Sequence, residues 1–155
     1  MKILVFSDTH GDFTHMNDCI KRHPDAEVIV HCGDGADQAQ RVKLLYPDKM
    51  VVCVRGNCDL ASPLPAVETF TVLGKNIMVT HGHYYEVKYH LTKLFYAAKE
   101  NRCDIVLFGH THEATDRYED GVYLFNPGNC SGWRPTYGVI EITEKGDILT
   151  NIAKA

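Results

Sequence analysis

The strongest constraint on how this chain can fold is a repeated grammar in which a short apolar run leads directly into a cluster of polar residues. ILVF (3 to 6) is followed by SDTHGD, VIV (28 to 30) by HCGDGAD and VVCV (51 to 54) by RGNCD. IMV (77 to 79) is followed by THGH, IVLF (105 to 108) by GHTH and VYLF (122 to 125) by NPGN. Runs of this length, rich in Val and Ile, predict strands covered on both faces. Helical patterns lie between several of them. The clearest is Glu86 to Asn101, where Val87, Leu91, Leu94, Phe95 and Ala98 share a stripe and Lys88, Lys93 and Lys99 point away. Phe13 to Arg22 and Asp37 to Tyr46 are weaker candidates. Strand, helix, strand in succession predicts a parallel sheet in the N-terminal half, joined by right-handed crossovers. TVLGKNIMVT and YGVIEITEKGDILTNI each carry a turn signal between strand-like runs, so antiparallel hairpins are expected later in the chain, at the C-terminus above all. The class is α/β, a sandwich with mixed sheets.

At 155 residues and 45% hydrophobic content, the chain is long enough to bury one core, and residues 1–155 read as a single domain. A net charge of −4 without a Lys/Arg cluster argues against extended nucleic-acid binding. No apolar run approaches a membrane span and no signal-peptide pattern precedes the first strand, so a cytoplasmic protein with no membrane partner is expected. The six cysteines form no CxxC pair and are expected as free thiols in a reducing compartment.

In open α/β sheets, ligands bind beyond the carboxyl ends of the strands, which is where the polar clusters fall. Asp, Asn, Gly and Thr there are ordinary turn and cap residues, but histidine is not, and His10, His81, His110 and His112 all sit just past an apolar run. In extended chain, residues i and i+2 project to one side, so Asp8 with His10, and His110 with His112, would each aim two donors at one point. Paired imidazoles at a strand end are costly unless hydrated or bound to a metal. With Asp34 and the amide of Asn57, the donors are too many for one tetrahedral zinc site. The mixture of O and N suits two five- or six-coordinate ions sharing a carboxylate. Manganese is the first expectation, with nickel, iron, zinc and cobalt as alternatives. Two such ions, two carboxylates and a hydroxide leave a net charge of about +1, which draws an anionic phosphate ester to an acidic protein.

The ordered set SDTH (7 to 10), GDGAD (33 to 37), GNCD (56 to 59), HGH (81 to 83) and GHTH (109 to 112) resembles the calcineurin-like metallophosphoesterase superfamily. NPGNCSGWRP resembles the NPGS segment, with a later Arg, of its small prokaryotic phosphodiesterases. The resemblance implies a four-layer αββα sandwich and hydrolysis of a phosphodiester by metal-bridging hydroxide. It implies that Asp8, His10 and His112 hold one metal, that Asn57, His81 and His110 hold the other, and that Asp34 bridges them. Asp37 and Asp59 are implied as outer carboxylates that orient the ligands.

One position departs from the family pattern. Where the motif GNH places a histidine able to bind substrate and protonate the leaving oxygen, this chain has Cys58. Asp8, Asp34, Asn57, Cys58 and His81 are the expected catalytic set. Asn57, Cys58, His83 and Arg134 are the expected substrate contacts, Arg134 because a guanidinium matches phosphate geometry. His31 reads as packing. The expected ligand is a small phosphodiester, and a homo-oligomer is left open. A phosphomonoesterase would share the ligands but fits the missing histidine less well. A non-catalytic scaffold of the retromer-subunit type would not need all seven donors.

Overall fold

Residues 1–155 are described by a computed structural model. Each apolar run falls in a strand or ends one residue beyond it. The chain runs β1 (Lys2–Phe6), α1 (Thr14–Arg22), β2 (Val28–His31), α2 (Ala36–Leu45) and β3 (Met50–Cys53). It continues through β4 (Val67–Val72), β5 (Lys75–Thr80), α3 (Thr92–Glu100), β6 (Ile105–Leu107), β7 (Thr115–Glu119) and β8 (Val122–Asn126). It ends with β9 (Thr136–Ile142) and β10 (Ile148–Lys154). Two mixed five-stranded sheets result, in the orders β10-β9-β1-β2-β3 and β4-β5-β6-β8-β7. β1, β2 and β3 are parallel neighbours, and so are β5, β6 and β8. The expected antiparallel hairpins are β4–β5 and β9–β10.

The continuous apolar runs follow from burial of both sheet faces. Along β1 and β2, Ile3, Val5, Val28 and Val30 point between the sheets, where they meet Ile77, Val79, Ile105, Leu107 and Phe125. The alternating Leu4, Phe6 and Ile29 point outward onto Met16 and Ile20 of α1 and Val42 of α2. On the other sheet, Met78, Val106 and Leu124 pack outward against Leu94 and Ala98 of α3. This is the four-layer αββα arrangement. Each fully buried Leu, Ile or Phe adds about 1.5–3 kcal/mol relative to exposure, and period-2 alternation fixes which layer receives it.

Two elements differ from the sequence reading. The helix expected over Glu86 to Asn101 starts only at Thr92. His83–Tyr85 form a short 3-10 turn, and Glu86 adopts a left-handed φ of 56°. The apolar stripe survives this break, because Val87 is buried and Leu91 packs on the same cluster from irregular backbone. β7 (TDRYE) was unanticipated: its residues are mostly exposed and it pairs only with β8, so it carries no apolar signature. No helix is long and apolar enough to cross a membrane.

Candidate metal centre

All six parallel strands end at the same edge of the sandwich, and backbone bonds join the loops beyond them. Asp8 N–H donates to Gly33 O (3.0 Å), His10 N–H to Asp34 O (3.0 Å) and Gly109 N–H to His81 O (3.2 Å). Two further bonds cross between the sheets: His110 N–H donates to Asp8 Oδ2 (3.1 Å), and His81 Nδ1 donates to Cys32 O (2.8 Å). Residues such as Asp8 and His110, 102 positions apart in sequence, are thereby brought to one place.

Asp8, His10, Asp34, His110 and His112 all have φ between 45° and 69°. Left-handed backbone costs a non-glycine residue on the order of 1 kcal/mol, and such strain gathers where function over-determines the conformation. It also overturns the extended-chain expectation for His110 and His112, whereas Asp8 and His10 do converge, with Asp8 Oδ1 3.7 Å from His10 Nε2. His112 turns toward Asp8 and His10, with its Nε2 3.1 Å from Asp8 Oδ1 and 3.4 Å from His10 Nε2. His110 instead sets its ring 5.0 Å from that of His81. The GHTH segment therefore divides its imidazoles between two halves of the centre. A strand geometry would have aimed both at one.

Asp34 stands between the halves. Its Oδ2 lies 3.3 Å from His81 Nε2 and 3.9 Å from His10 Nε2. His81 Nε2 is in turn 3.1 Å from Asn57 Oδ1 and 4.0 Å from Asp8 Oδ1. Donor atoms fall within 4.8 Å of one another in the sets Asp8–His10–His112, Asp8–Asp34–His81 and His10–Asp34–Cys58.

Glycines make the close approaches feasible. A Cβ on Gly109 would lie 1.9 Å from Ser7 Oγ, and one on Gly56 would lie 2.0 Å from Asp34 Oδ1.

The surrounding residues hold the donors in place. Asp59 accepts from the N–H groups of Asp34 (2.8 Å), Gly35 (3.4 Å), Ala36 (3.1 Å) and Gly56 (2.8 Å), tying the GDGAD and GNCD loops together. Asp37, expected in the same role, is exposed and makes no hydrogen bond to any donor, because the α2 helix carries it outward. Sequence reasoning passed over Ser7, whose hydroxyl donates to Asp8 Oδ2 (2.6 Å), and Asn126, which donates to Gly109 O and Thr111 Oγ1 (both 3.0 Å). Asn126 opens NPGN, so its place after a strand was the available signal. Ser131 braces Asp8 through its carbonyl (2.9 Å). His31, read as packing, is fully buried and polar in role: Gly33 N–H donates to its Nδ1, and its Nε2 meets Thr9 Oγ1 at 3.0 Å. Arg134 is exposed and His83 half-buried; neither has a hydrogen bond to the cluster.

The electrostatics reflect this crowding. Burial alone would raise the Asp34 carboxyl, but hydrogen bonds from His81 and Cys58 N–H outweigh it and hold Asp34 well below the usual range. Burial would lower His81, but Asp34 and Asp8 raise it. Burial, reinforced by His81, pushes His110 down to about 4. The nearby Asp34 raises the Cys58 thiol.

Two buried side-chain atoms, Asp8 Oδ1 and His83 Nδ1, have no hydrogen-bond partner, and Asp8 Oδ1 faces His10, His81 and His112. A buried carboxylate oxygen without a donor is costly, and imidazole nitrogens directed at it are the usual companions of a divalent cation. The donor set fits such ions.

Residues 1–145 match the family model for the calcineurin-like phosphoesterase superfamily domain. The chain is 34% identical over 130 residues to the probable metallophosphoesterase YsnB of Bacillus subtilis, covering 83% of this chain and 75% of that one. It is 29% identical over 164 residues to the phosphodiesterase MJ0936 of Methanocaldococcus jannaschii, covering 94% and 95%. The fold also matches the crystal structure of Vps29 of Entamoeba histolytica complexed with zinc. There the TM-score is 0.78 at 18% identity, over 99% of both chains.

Proposed function

The chain belongs to the calcineurin-like phosphoesterase superfamily, a family of metal-dependent phosphoric ester hydrolases, and from that premise we propose that it is a dinuclear phosphodiesterase. Asp8, His10 and His112 would hold one ion and Asn57, His81 and His110 the other, with Asp34 shared. The observation that carries the reading is the unpartnered Asp8 Oδ1 beside an Asp34 Oδ2 that lies within 4 Å of imidazoles from both halves. When bound, the ions supply a positively charged seat for a phosphoryl group and water acidic enough to yield hydroxide near neutral pH. Manganese suits this mixture of oxygen and nitrogen donors, as do nickel, iron, zinc and cobalt.

The protein's own part is orientation and charge. His81 donates its Nδ1 proton to Cys32 O, so with an ion bound its Nε2 would be the nitrogen that offers a lone pair to the centre. Asp59 fixes the backbone on both sides of Asp34, so the shared carboxylate cannot swing out. Cys58, whose backbone N–H binds Asp34 Oδ1, places a thiol where the family motif has histidine. A thiol is a weak hydrogen-bond donor, so the site is suited to diesters whose leaving group needs little protonation. The relative MJ0936, which is called a phosphodiesterase, supports the same substrate class. Six free cysteines fit a reducing, cytoplasmic setting.

Elemental analysis of the purified protein, alongside hydrolysis of bis-aryl and mono-aryl phosphates with Mn, Ni, Zn or Mg added singly, tests the proposal. Undiminished hydrolysis after chelation would refute the metal assignment, and a preference for the mono-aryl ester would refute the diester assignment. The likeness in fold to Vps29 favours a second reading, a metal-binding scaffold without turnover. Inactivity with every metal would support it.

A further inference from the structure

The segment 54–66, which carries the chain from one sheet to the other, does more than deliver Asn57. Its turns are closed by Ser62 N–H to Asp59 O (3.0 Å), Leu64 N–H to Ser62 Oγ (3.3 Å) and Arg55 N–H to Pro65 O (2.9 Å). Between these turns and the start of α2 lies a cavity of about 500 Å³ with Leu60, Ala61, Pro63 and Leu64 in its wall. Asp37 and Cys58 belong both to this cavity and to a smaller one of about 290 Å³ that contains His10 and Asp34. A chamber with one apolar wall therefore adjoins the cavity that reaches His10 and Asp34. Leu60 is 92% exposed, an aliphatic side chain with no core to fill.

We infer that this chamber receives an organic ester group of the substrate, neutral and apolar or aromatic, with Leu60 and Leu64 as specificity-determining residues. The inference rests on the reading of the neighbouring centre as a phosphoester site. A phosphoryl group held there tethers its substituent, so burying that substituent requires no second loss of translational freedom. The volume lies in the range of small-molecule sites. Asp59 is occupied by four backbone N–H groups, but the exposed Asp37 has no such partners and leaves negative charge on the shared wall. A second anionic group is repelled there, whereas a neutral ring is not.

Calorimetry on the Mn-loaded protein compares phenylphosphonate with methylphosphonate, which share the phosphoryl anchor and differ in the group offered to the chamber. Phenylphosphonate is expected to bind about tenfold tighter, or about 1.4 kcal/mol, and the advantage to shrink below about threefold in Leu60→Ser and in Leu60→Ser/Leu64→Ser. Leu60→Ser alone alters a side chain outside the core, so it keeps the test intact if the double variant folds poorly. Equal affinities in the parent protein, no binding of either phosphonate, or a phenyl advantage that survives both variants overturns the assignment. Bis-aryl phosphate hydrolysis is followed on the same samples. Phenyl preference without hydrolysis refutes the proposed reaction and supports the chamber; hydrolysis without preference does the reverse.

Discussion

His112 Nε2 lies 3.1 Å from Asp8 Oδ1, a fully buried oxygen that no hydrogen-bond donor serves. One oxygen of this carboxylate therefore faces imidazole nitrogens without a hydrogen bond, in the place a bound cation would occupy. Asp8→Asn keeps an oxygen for Ser7 and His110 N–H and tolerates the left-handed φ of 54°, while it removes the charge. Metal-free Asp8→Asn should be more stable than the metal-free parent by about 1–2 kcal/mol in urea unfolding, and its hydrolysis should fall by more than about 100-fold. A less stable metal-free variant would show that Asp8 carries no such cost.

Asp59 offers a second handle, because one carboxylate organises both ligand loops through four N–H groups. Asp59→Ala leaves those donors unserved. Metal titration should show affinity weaker by about 10- to 100-fold, with about 2–4 kcal/mol of stability lost. Unchanged metal affinity would mean that the loops are held by something else.

Cys58 binds Asp34 through its backbone, which substitution preserves. Cys58→Ser should therefore keep most of its rate on an aryl diester. A fall beyond about 100-fold, the usual scale of a general acid, would make the thiol essential.

His31 gives the protein an acid sensitivity. Burial pushes its pKa down to about 4 from an ordinary value of 6.5. Below pH 6.5 the unfolded chain takes up a proton that the native imidazole refuses until pH 4 is reached. The native state keeps its full margin above the upper value and loses on the order of 3 kcal/mol as pH falls between the two. Chelator-treated His31→Gln should show a shallower decline between pH 7 and 4.5 than the parent protein; parallel declines would exonerate His31.

Gly109 tests the close approach of the loops. A methyl at this position would meet Ser7 Oγ at 1.9 Å, so Gly109→Ala should cost about 1–3 kcal/mol and lower metal occupancy, read by thermal unfolding and elemental analysis. Full occupancy with parental stability would show that the loops yield freely.

The layers of the fold were legible because both faces of each inner strand are buried, and a strand such as ILVF must then be apolar throughout. The gathering of His10, His81, His110 and His112 at one edge was legible because each follows an apolar run. β7 was not, since an edge strand with exposed side chains needs no apolar period, and the helix start was misplaced because Val87 and Leu91 keep their apolar role outside a helix. Asp37 and Asp59 stand in motifs of the same look, yet only Asp59 turns back onto the loops.

By itself the sequence determined the α/β layering and the edge at which polar residues gather, since these depend on residue type and local period. Tertiary structure decided which donor meets which. His110 and His112 part company because left-handed backbone, held by bonds to Asp8 and Asn126, rotates them toward different strands. Asp34 stands between the two halves because loops from opposite sheets converge on it. Contacts such as that between Asp8 and His110, 102 positions apart, depend on how two sheets stack, and no local pattern in the chain encodes that distance.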